Sequence, residues 1–182
     1  MGTVTIRRLE PGDAAAWAGL RREALEAHPL AFGSAPPDDP GELVTSAQAR
    51  MAAEDSVIVG AWVDAALVGI VGVRREFGPK ERHKAFVWGM YVVAQYRQLG
   101  IGARLLQAAL DETRAWPGVQ QVHLSVSSVA SEARRLYEQQ GFRVWGVEPR
   151  ALGWNGEYAD ELHMVRDLHD GDEPSQAPIG LR

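Results

Sequence analysis

Apolar residues along the chain recur at two spacings, one typical of strands and one typical of helices. Short apolar or alternating runs predict seven strands. They are Thr3–Leu9, Ser56–Val63, Leu67–Phe77, Ala85–Val93, Val119–Val126, Phe142–Trp154 and Glu157–Leu168. Asn155-Gly156 between the last two is a strong signal for a tight hairpin turn, so these two strands are expected to pair.

Helical spacing predicts four helices between these strands. The first follows Asp13 as its N-cap and carries Trp17, Leu20, Ala24 and Leu25; the second runs over Leu43–Ala53; the third carries Leu105, Leu106, Ala109 and Leu110; the fourth begins near Ser131 and passes through Tyr137 and Gln140. Prolines and glycines over Pro29–Gly41 predict an irregular loop after the first helix.

Length and composition favour one folded unit. The chain has 182 residues, of which 46% are hydrophobic, enough for a substantial core. We expect a single domain over residues 1–168 and a disordered tail over residues 169–182, which are rich in Asp, Pro and Gly. No apolar run approaches the ~20 residues that cross a bilayer, and the first residues lack a secretory pattern. A cytoplasmic location without membrane contact is the default expectation.

Charge and residue content exclude several functions. The net charge of −5 and the scattered basic residues argue against nucleic-acid binding and mildly favour cationic partners such as amines. With no cysteine, the chain has no disulfide, thiol nucleophile or Cys-type metal site. The histidines at positions 28, 123, 163 and 169 show no metal-ligand spacing, so no metal is expected.

The run Arg97-Gln98-Leu99-Gly100-Ile101-Gly102 joins a predicted strand to a predicted helix. Glycines at a helix start allow a ligand to approach the backbone, and the first-turn N–H groups there bind anions, usually phosphate. A Rossmann site is disfavoured because Leu105 stands where a third glycine is needed, and no Gly-Lys-Ser/Thr follows for a P-loop. A turn that only packs strand against helix is the alternative.

This R-x-x-G-x-G run resembles the acyl-CoA-binding motif of the GNAT superfamily of N-acyltransferases. Ala133–Phe142 resembles the family's second signature, A-x-x-L-Y-E-x-x-G-F, in the expected order. The resemblance spans Thr3–Leu168. It implies an α+β fold of the α/β three-layer type, with a mixed, mostly antiparallel sheet of about seven strands flanked by about four helices.

The resemblance also implies a co-substrate and the residues that bind it. Acetyl-CoA would pair its pantetheine arm with the backbone of Met90, Tyr91 and Val92, where a strand amide polarises the acyl carbonyl. The pyrophosphate would lie on the amides of Gln98, Leu99, Gly100, Ile101, Gly102 and Ala103. Tyr137 would be the general acid near the thiol sulfur; the alternative is a helix-face aromatic that packs against Phe142.

The chain departs from the family at two points. Ala130 stands where an asparagine often contacts the cofactor, and Ser128 or Ser131 are possible substitutes. No carboxylate lies in the two strands Ala85–Val93 and Val119–Val126, so the general base is unassigned. Candidates are Glu157, Asp160, Glu161, His83, Asp38 and Asp39, with water relays as the alternative. Trp88 and Trp154 either line an acceptor pocket or pack in the core.

The expected function is transfer of an acetyl group from acetyl-CoA to a primary amine. Without cysteine a Cys-acyl intermediate is impossible, which favours direct attack in a ternary complex. The acceptor is a small amine or a protein N-terminus, with Asp38-Asp39 slightly favouring a small cation. The alternatives are a non-catalytic acyl-CoA-binding or regulatory module, motivated by Ala130 and the missing strand carboxylate, and a structural domain without a nucleotide ligand. The oligomeric state is open, a dimer included.

Overall fold

A computed structural model describes residues 2–36, 38–39 and 43–168. Its strands are β1 (Val4–Arg8), β2 (Ser56–Val63), β3 (Ala66–Arg75), β4 (Lys84–Val92), β5 (Gln121–Ser127), β6 (Arg143–Trp154) and β7 (Glu157–Asp167). Its helices are α1 (Ala14–Ala27), α2 (Val44–Ala52), α3 (Ile101–Arg114) and α4 (Ser131–Gln139), with single 3₁₀ turns over Pro11–Asp13 and Ala94–Tyr96. The disordered tail expected over residues 169–182 lies outside the described residues.

The strands form one sheet in the order β1-β2-β3-β4-β5-β7-β6. Every neighbouring pair is antiparallel except β4 and β5, which run parallel. The fold class expected from the sequence is confirmed. Because α3 connects β4 to β5, the glycine run at its start follows the C-terminal end of β4.

Two apolar clusters cover the two faces of the sheet. On one face, α1 and α2 bury Trp17, Ala24 and Met51 against Ile58 and Ile70 of the sheet. On the other face, the apolar side of α3 packs on β2, β3 and β5, and Tyr137 of α4 and Phe142 join the same cluster. Burial of these side chains on both faces produces the three layers.

The expected N-cap of α1 has another role. Asp13 occupies the N-cap position, but its side chain makes no capping bond to the helix. Its carboxylate instead accepts hydrogen bonds from the Glu10 amide at 2.9 Å and from the Arg7 guanidinium at 2.7 Å. A 3₁₀ turn runs directly into α1, so the carboxylate stabilises that turn and not the first turn of the helix.

Candidate functional site

Strand β4 contains one residue more than the stretch of β3 that it pairs with. Gly72 is opposite Trp88, and Ile70 is opposite Tyr91, so two steps along β3 match three along β4. Gly89 lies within this bulge with φ +63, a backbone conformation that residues with side chains rarely adopt. A bulge leaves one residue outside the ladder and re-aims the side chains that follow it.

The bulge reverses which face of the sheet each side chain of β4 contacts. Ala85 and Val87 belong to the cluster under α3, but after the bulge Met90 packs against that same cluster and Tyr91 joins the cluster under α1 and α2. Without the extra residue, odd-numbered positions would stay on one face throughout. Met90 therefore faces the start of α3, where its Cε lies 3.4 Å from the position of a Cβ added to Gly102.

Strands β4 and β5 separate beyond their first residues. The ladder pairs Lys84, Ala85 and Phe86 with Gln121, Val122 and His123, and no pair follows within the described chain. From Val87 onward, the edge of β4 that faces β5 is therefore free to bind an extended ligand through its main chain.

The glycine run bends the backbone so that consecutive amides have no partner. Gln98 has φ +61 and Gly100, the N-cap residue of α3, has φ +73. The first bond into the helix runs from the Arg104 amide to the Gly100 oxygen at 3.1 Å. None of the amides of residues 98–103 donates to another described residue. Free amides at a positive helix end suit a phosphate or pyrophosphate group.

The Arg97 side chain fixes this run to the end of β4. Its Nε donates to the Val92 oxygen at 2.9 Å, and its Nη2 lies 2.9 Å from His28 Nε2. The guanidinium also lies over the Tyr91 ring, 5.5 Å from its centroid. Sequence analysis gave Arg97 no defined role, because these partners become neighbours only in the folded chain.

A cavity of about 740 Å³, here called the loop cavity, extends from β4 past the glycine run to α4. Eight of the nine residues expected to bind the co-substrate line it: Met90, Tyr91, Val92, Gln98, Gly100, Ile101, Gly102 and Ala103. Leu99 is not among the lining residues and is 43% exposed. An elongated ligand with an anionic group fits this combination of free strand edge and free amides.

The start of α4 closes the loop cavity. Ala130 is its N-cap residue and makes no side-chain capping bond, and it lines the cavity together with Ser131. Ser128, the other possible substitute for the family's asparagine, accepts a hydrogen bond from the Asp160 amide at 3.2 Å. Of the two serines, Ser131 is the one beside the cavity.

Tyr137 is buried among apolar residues of α4 and its neighbours. It is 6% exposed, and its ring meets Phe142 edge-on with centroids 6.0 Å apart. Leu136 and Gln139, its neighbours in α4, line the loop cavity, whereas Tyr137 does not. Burial raises the pKa of the Tyr137 phenol well above its ordinary value, so the hydroxyl stays protonated. The packing of Tyr137 on Phe142 is observed, and its role as general acid stays a prediction.

A second cavity of about 360 Å³, here called the arginine cavity, lies on the α1 side of the bulge. Three arginines line it, from α1, α2 and β3: Arg21, Arg50 and Arg74. Trp88, Gly89, Ser125 and Glu161 complete its wall on the sheet side. Ala31 and Phe32 line both cavities, so the two cavities are adjacent.

A buried ion pair joins α1 to the loop after it. Arg21 donates from Nε to Asp39 Oδ2 at 2.9 Å, and its Nη2 lies 2.7 Å from the same oxygen. Asp39 is 5% exposed. Since Arg21 compensates its charge, Asp39 does not present a free negative charge to a cationic acceptor, and the expectation drawn from Asp38-Asp39 loses its main support.

Glu161 of β7 also lines the arginine cavity and, unlike Asp39, makes no ion pair with a described residue. Burial raises the pKa of its carboxyl, while His163 opposes the rise and Glu148 adds to it. Ser125, also on the cavity wall, lies 2.8 Å from His163 Nδ1, and His163 Nε2 lies 3.3 Å from Glu148. Sequence analysis missed Ser125 and His163, because they lie 38 residues apart and only the β5–β7 register pairs them.

The other candidates lie elsewhere. Asp160 accepts a hydrogen bond from the Arg150 amide at 2.7 Å, and Glu157 and Asp38 are exposed. His83 precedes β4, outside both cavities. Trp88 lines the arginine cavity and also packs edge-on against Trp17 with centroids 6.2 Å apart, whereas Trp154 is 42% exposed in β6.

Neither a metal-ion site nor a membrane-spanning helix is found among the described residues. No group of three or more histidine, aspartate or glutamate side chains there is placed to hold a metal ion. None of the helices found there has the length and apolar character needed to span a membrane.

Comparison with known proteins agrees with this geometry. The sequence profile of the acetyltransferase (GNAT) family matches residues 17–142. An N-alpha-acetyltransferase from Sulfurisphaera tokodaii is 36% identical over 88 residues, which are 44% of this chain and 53% of that protein. An aminoglycoside N(6′)-acetyltransferase type 1 from Stenotrophomonas maltophilia is 37% identical over 114 residues, 60% of this chain and 67% of that protein. The chain thus spans about half the length of the first relative.

Solved structures agree on the fold. The yncA protein of Salmonella typhimurium, solved with acetyl-CoA, has a TM-score of 0.81 to this chain at 20% identity, covering 96% of this chain and 99% of that one. The family profile extends over most of the chain and includes β4, the glycine run and α4. The chain therefore belongs to the GNAT family of acyl-CoA-dependent acetyltransferases.

Proposed function

We propose that the protein is an N-acetyltransferase that moves the acetyl group of acetyl-CoA directly to a primary amine while both substrates are bound. The bulge at Gly89 carries this proposal: Gly89 lines the arginine cavity, and the next three residues line the loop cavity. Direct transfer needs two adjacent sites, and consecutive residues of β4 line the two cavities. The absence of cysteine supports direct attack over a Cys-acyl route.

The loop cavity is the donor site in this proposal. The six amides of residues 98–103 hold the pyrophosphate, and the backbone of Met90, Tyr91 and Val92 pairs with the pantetheine arm. Gly100 favours this assignment because a Cβ at that position would meet no other atom within 4 Å, so the backbone is open to a ligand. Acetyl-CoA supplies an activated thioester, whose C–S bond breaks as the N–C bond forms.

Groups of the protein itself stabilise the charge that develops on the acyl oxygen and transfer the protons. In this proposal a backbone amide of β4 at the bulge donates to the acyl oxygen as negative charge develops there, and such fixed donors stabilise that charge. Glu161 takes the proton that the attacking amine loses. Tyr137 gives its proton to the departing thiolate, because the buried phenol remains protonated at neutral pH.

The identity of the acceptor and the cellular location stay predictions. The acceptor is a small amine or a protein N-terminus; the relatives named above include an aminoglycoside acetyltransferase and an N-alpha-acetyltransferase. The cytoplasmic location and the lack of nucleic-acid partners expected from the sequence also stay predictions.

A second candidate function is a module that binds acyl-CoA without turnover. Ala130 favours it, since the start of α4 beside the loop cavity lacks the polar side chain that the family often has there. Such a module would keep the donor site and have no use for the charged groups of the arginine cavity.

Calorimetry with CoA, together with thiol release from acetyl-CoA in the presence of a broad amine panel, separates the two functions. The enzyme is expected to bind CoA and to release thiol with at least one amine. Folded protein that binds CoA but releases no thiol with any amine would instead favour the binding module. Absence of any CoA binding would contradict both.

A further inference from the structure

We propose that the arginine cavity selects small acceptors that carry an acid group beside the amine, as α-amino acids do. This inference rests on the proposed acetyl transfer and names the acceptor class for it. The acid group pairs with guanidinium groups at one side of the cavity, and the amine lies toward Glu161 and the bulge.

The charges around the cavity favour a ligand that carries one charge of each sign. Three guanidinium groups face two carboxylates, Asp39 and Glu161, and Asp39 is already bound to Arg21. Arg74 forms an ion pair with Glu76 at 3.1 Å, and both side chains are partly exposed. Arg50 makes no ion pair with any described residue; its guanidinium lies over the Trp88 ring, 5.2 Å from the centroid. These pairings leave one guanidinium and one carboxylate of the cavity wall, Arg50 and Glu161, without an ion pair to a described residue.

Arg21 supplies an independent observation. Its side chain is 9% exposed, and Nη1 is buried with no hydrogen-bond partner, although Nε and Nη2 are both engaged by Asp39. The same Nη1 lies 3.6 Å from the position of a Cβ added to Gly89, so the free donor is close to the bulge. A buried charged donor without an acceptor is unfavourable, and an oxygen of a bound ligand would satisfy it.

The size of the cavity narrows the acceptor further. Its volume of about 360 Å³ is at the small end of ligand sites and suits a single amino acid. A polycationic aminoglycoside would bring several positive charges next to three arginines, which is unfavourable. Glu161 and the arginines together match a zwitterion, whose two charges have opposite signs.

Matched acceptors test the inference. The common L-α-amino acids are each assayed beside the corresponding amide and decarboxylated amine, and α-aminophosphonates show whether a phosphonate replaces the carboxylate. Thiol release at saturating acetyl-CoA gives kcat/KM. Calorimetry of the same compounds against the CoA-bound protein gives affinity without turnover. For the best side chain, we expect kcat/KM or affinity at least about tenfold higher for the acid-bearing compound.

Arg50→Gln is the diagnostic variant, and Arg82→Gln is its control. Arg82 is exposed, does not line the cavity and forms an ion pair with Asp55 at 3.2 Å. Arg50→Gln is expected to remove most of the preference for acid-bearing acceptors by lowering their kcat/KM, with CoA affinity retained. Equal kcat/KM and equal affinity for acid-bearing and uncharged amines would overturn the inference. Activity or binding with the uncharged amines alone would overturn it as well. Binding preference without thiol release would support the inference and count against the proposed transfer instead.

Discussion

Arg97 donates a hydrogen bond from Nε to the carbonyl oxygen of Val92 across 2.9 Å and so connects the glycine run to the end of β4. Arg97→Gln removes this bond and the contact with His28. We expect the KM for acetyl-CoA to rise about tenfold, near 1.4 kcal/mol, with kcat little changed. Steady-state kinetics checks this, with Arg114→Gln, an exposed α3 variant, as control. An unchanged KM would mean that the run keeps its position without the bond.

The partner of Arg97 makes folding stability depend on pH. A guanidinium only donates, so His28 Nε2 must accept, which requires a neutral ring. Burial, and then Arg97, lowers the pKa of His28. The unfolded chain therefore takes up this proton first, and stability is lost as the pH falls below the ordinary value of about 6.5. Denaturant unfolding measured from pH 7.5 to 5.5 is expected to show that the free energy of unfolding falls less steeply for His28→Gln than for the wild type. The same dependence on pH in both proteins would contradict this.

Gly100 combines a positive φ with open space. An alanine there strains the backbone by about 1 kcal/mol, and its Cβ enters the space next to the free amides. We expect Gly100→Ala to weaken CoA binding by more than tenfold in calorimetry. Gly12→Ala is the control, since a Cβ at that position also meets no atom within 4 Å and φ is not in the positive region. Unchanged CoA affinity in Gly100→Ala would show that the glycine run is not part of the donor site.

Tyr137→Phe tests the proposed acid. The ring contact with Phe142 is retained, so the melting temperature should stay near that of the wild type. We expect kcat to fall roughly 10²-fold with little change in CoA affinity, since only proton donation is lost. Tyr158→Phe, at an exposed tyrosine of β7, is the control. Full activity of Tyr137→Phe would leave Tyr137 as a packing residue only.

Glu161 is expected to set the acidic limb of the pH profile. A base acts only when deprotonated, and burial raises the pKa of Glu161, so kcat should increase with pH through a value above the ordinary carboxyl range. Measuring kcat with both substrates saturating reports groups in the bound complex. Glu161→Gln should lower kcat and flatten this limb, while Glu157→Gln, an exposed change in the same strand, should do neither. A limb that persists in Glu161→Gln would indicate another base.

The sequence predicted the elements well because their signals are local. The strand and helix spacings, the Asn155-Gly156 turn and the glycine run all depend on residues close in the chain. The bulge depends on the register between β3 and β4, which no local pattern specifies. Gly89 inside an apolar strand was the available signal, since an isolated glycine in a strand often marks a bulge.

The acceptor side could not be predicted for a similar reason. Arg21 and Asp39 are 18 residues apart, and Ser125 and His163 are 38 apart, so their pairing is a property of the packed chain. Six base candidates looked equivalent in the sequence. Only the position of β7 beside β5 brings Glu161 to the arginine cavity.

The short ladder between β4 and β5 divides the sheet into two halves that share three residue pairs. The strand edge and the glycine run proposed to bind the donor belong to β4 and the start of α3, whereas Ser125 and Glu161 belong to the other half, with β5, β7 and β6. Substitutions in that other half can therefore alter which amine is accepted while the donor contacts keep their register. The three arginines of the same cavity lie on α1, α2 and β3, on the β4 side of the sheet, so the fold makes only the Ser125 and Glu161 part of acceptor choice independent of co-substrate binding.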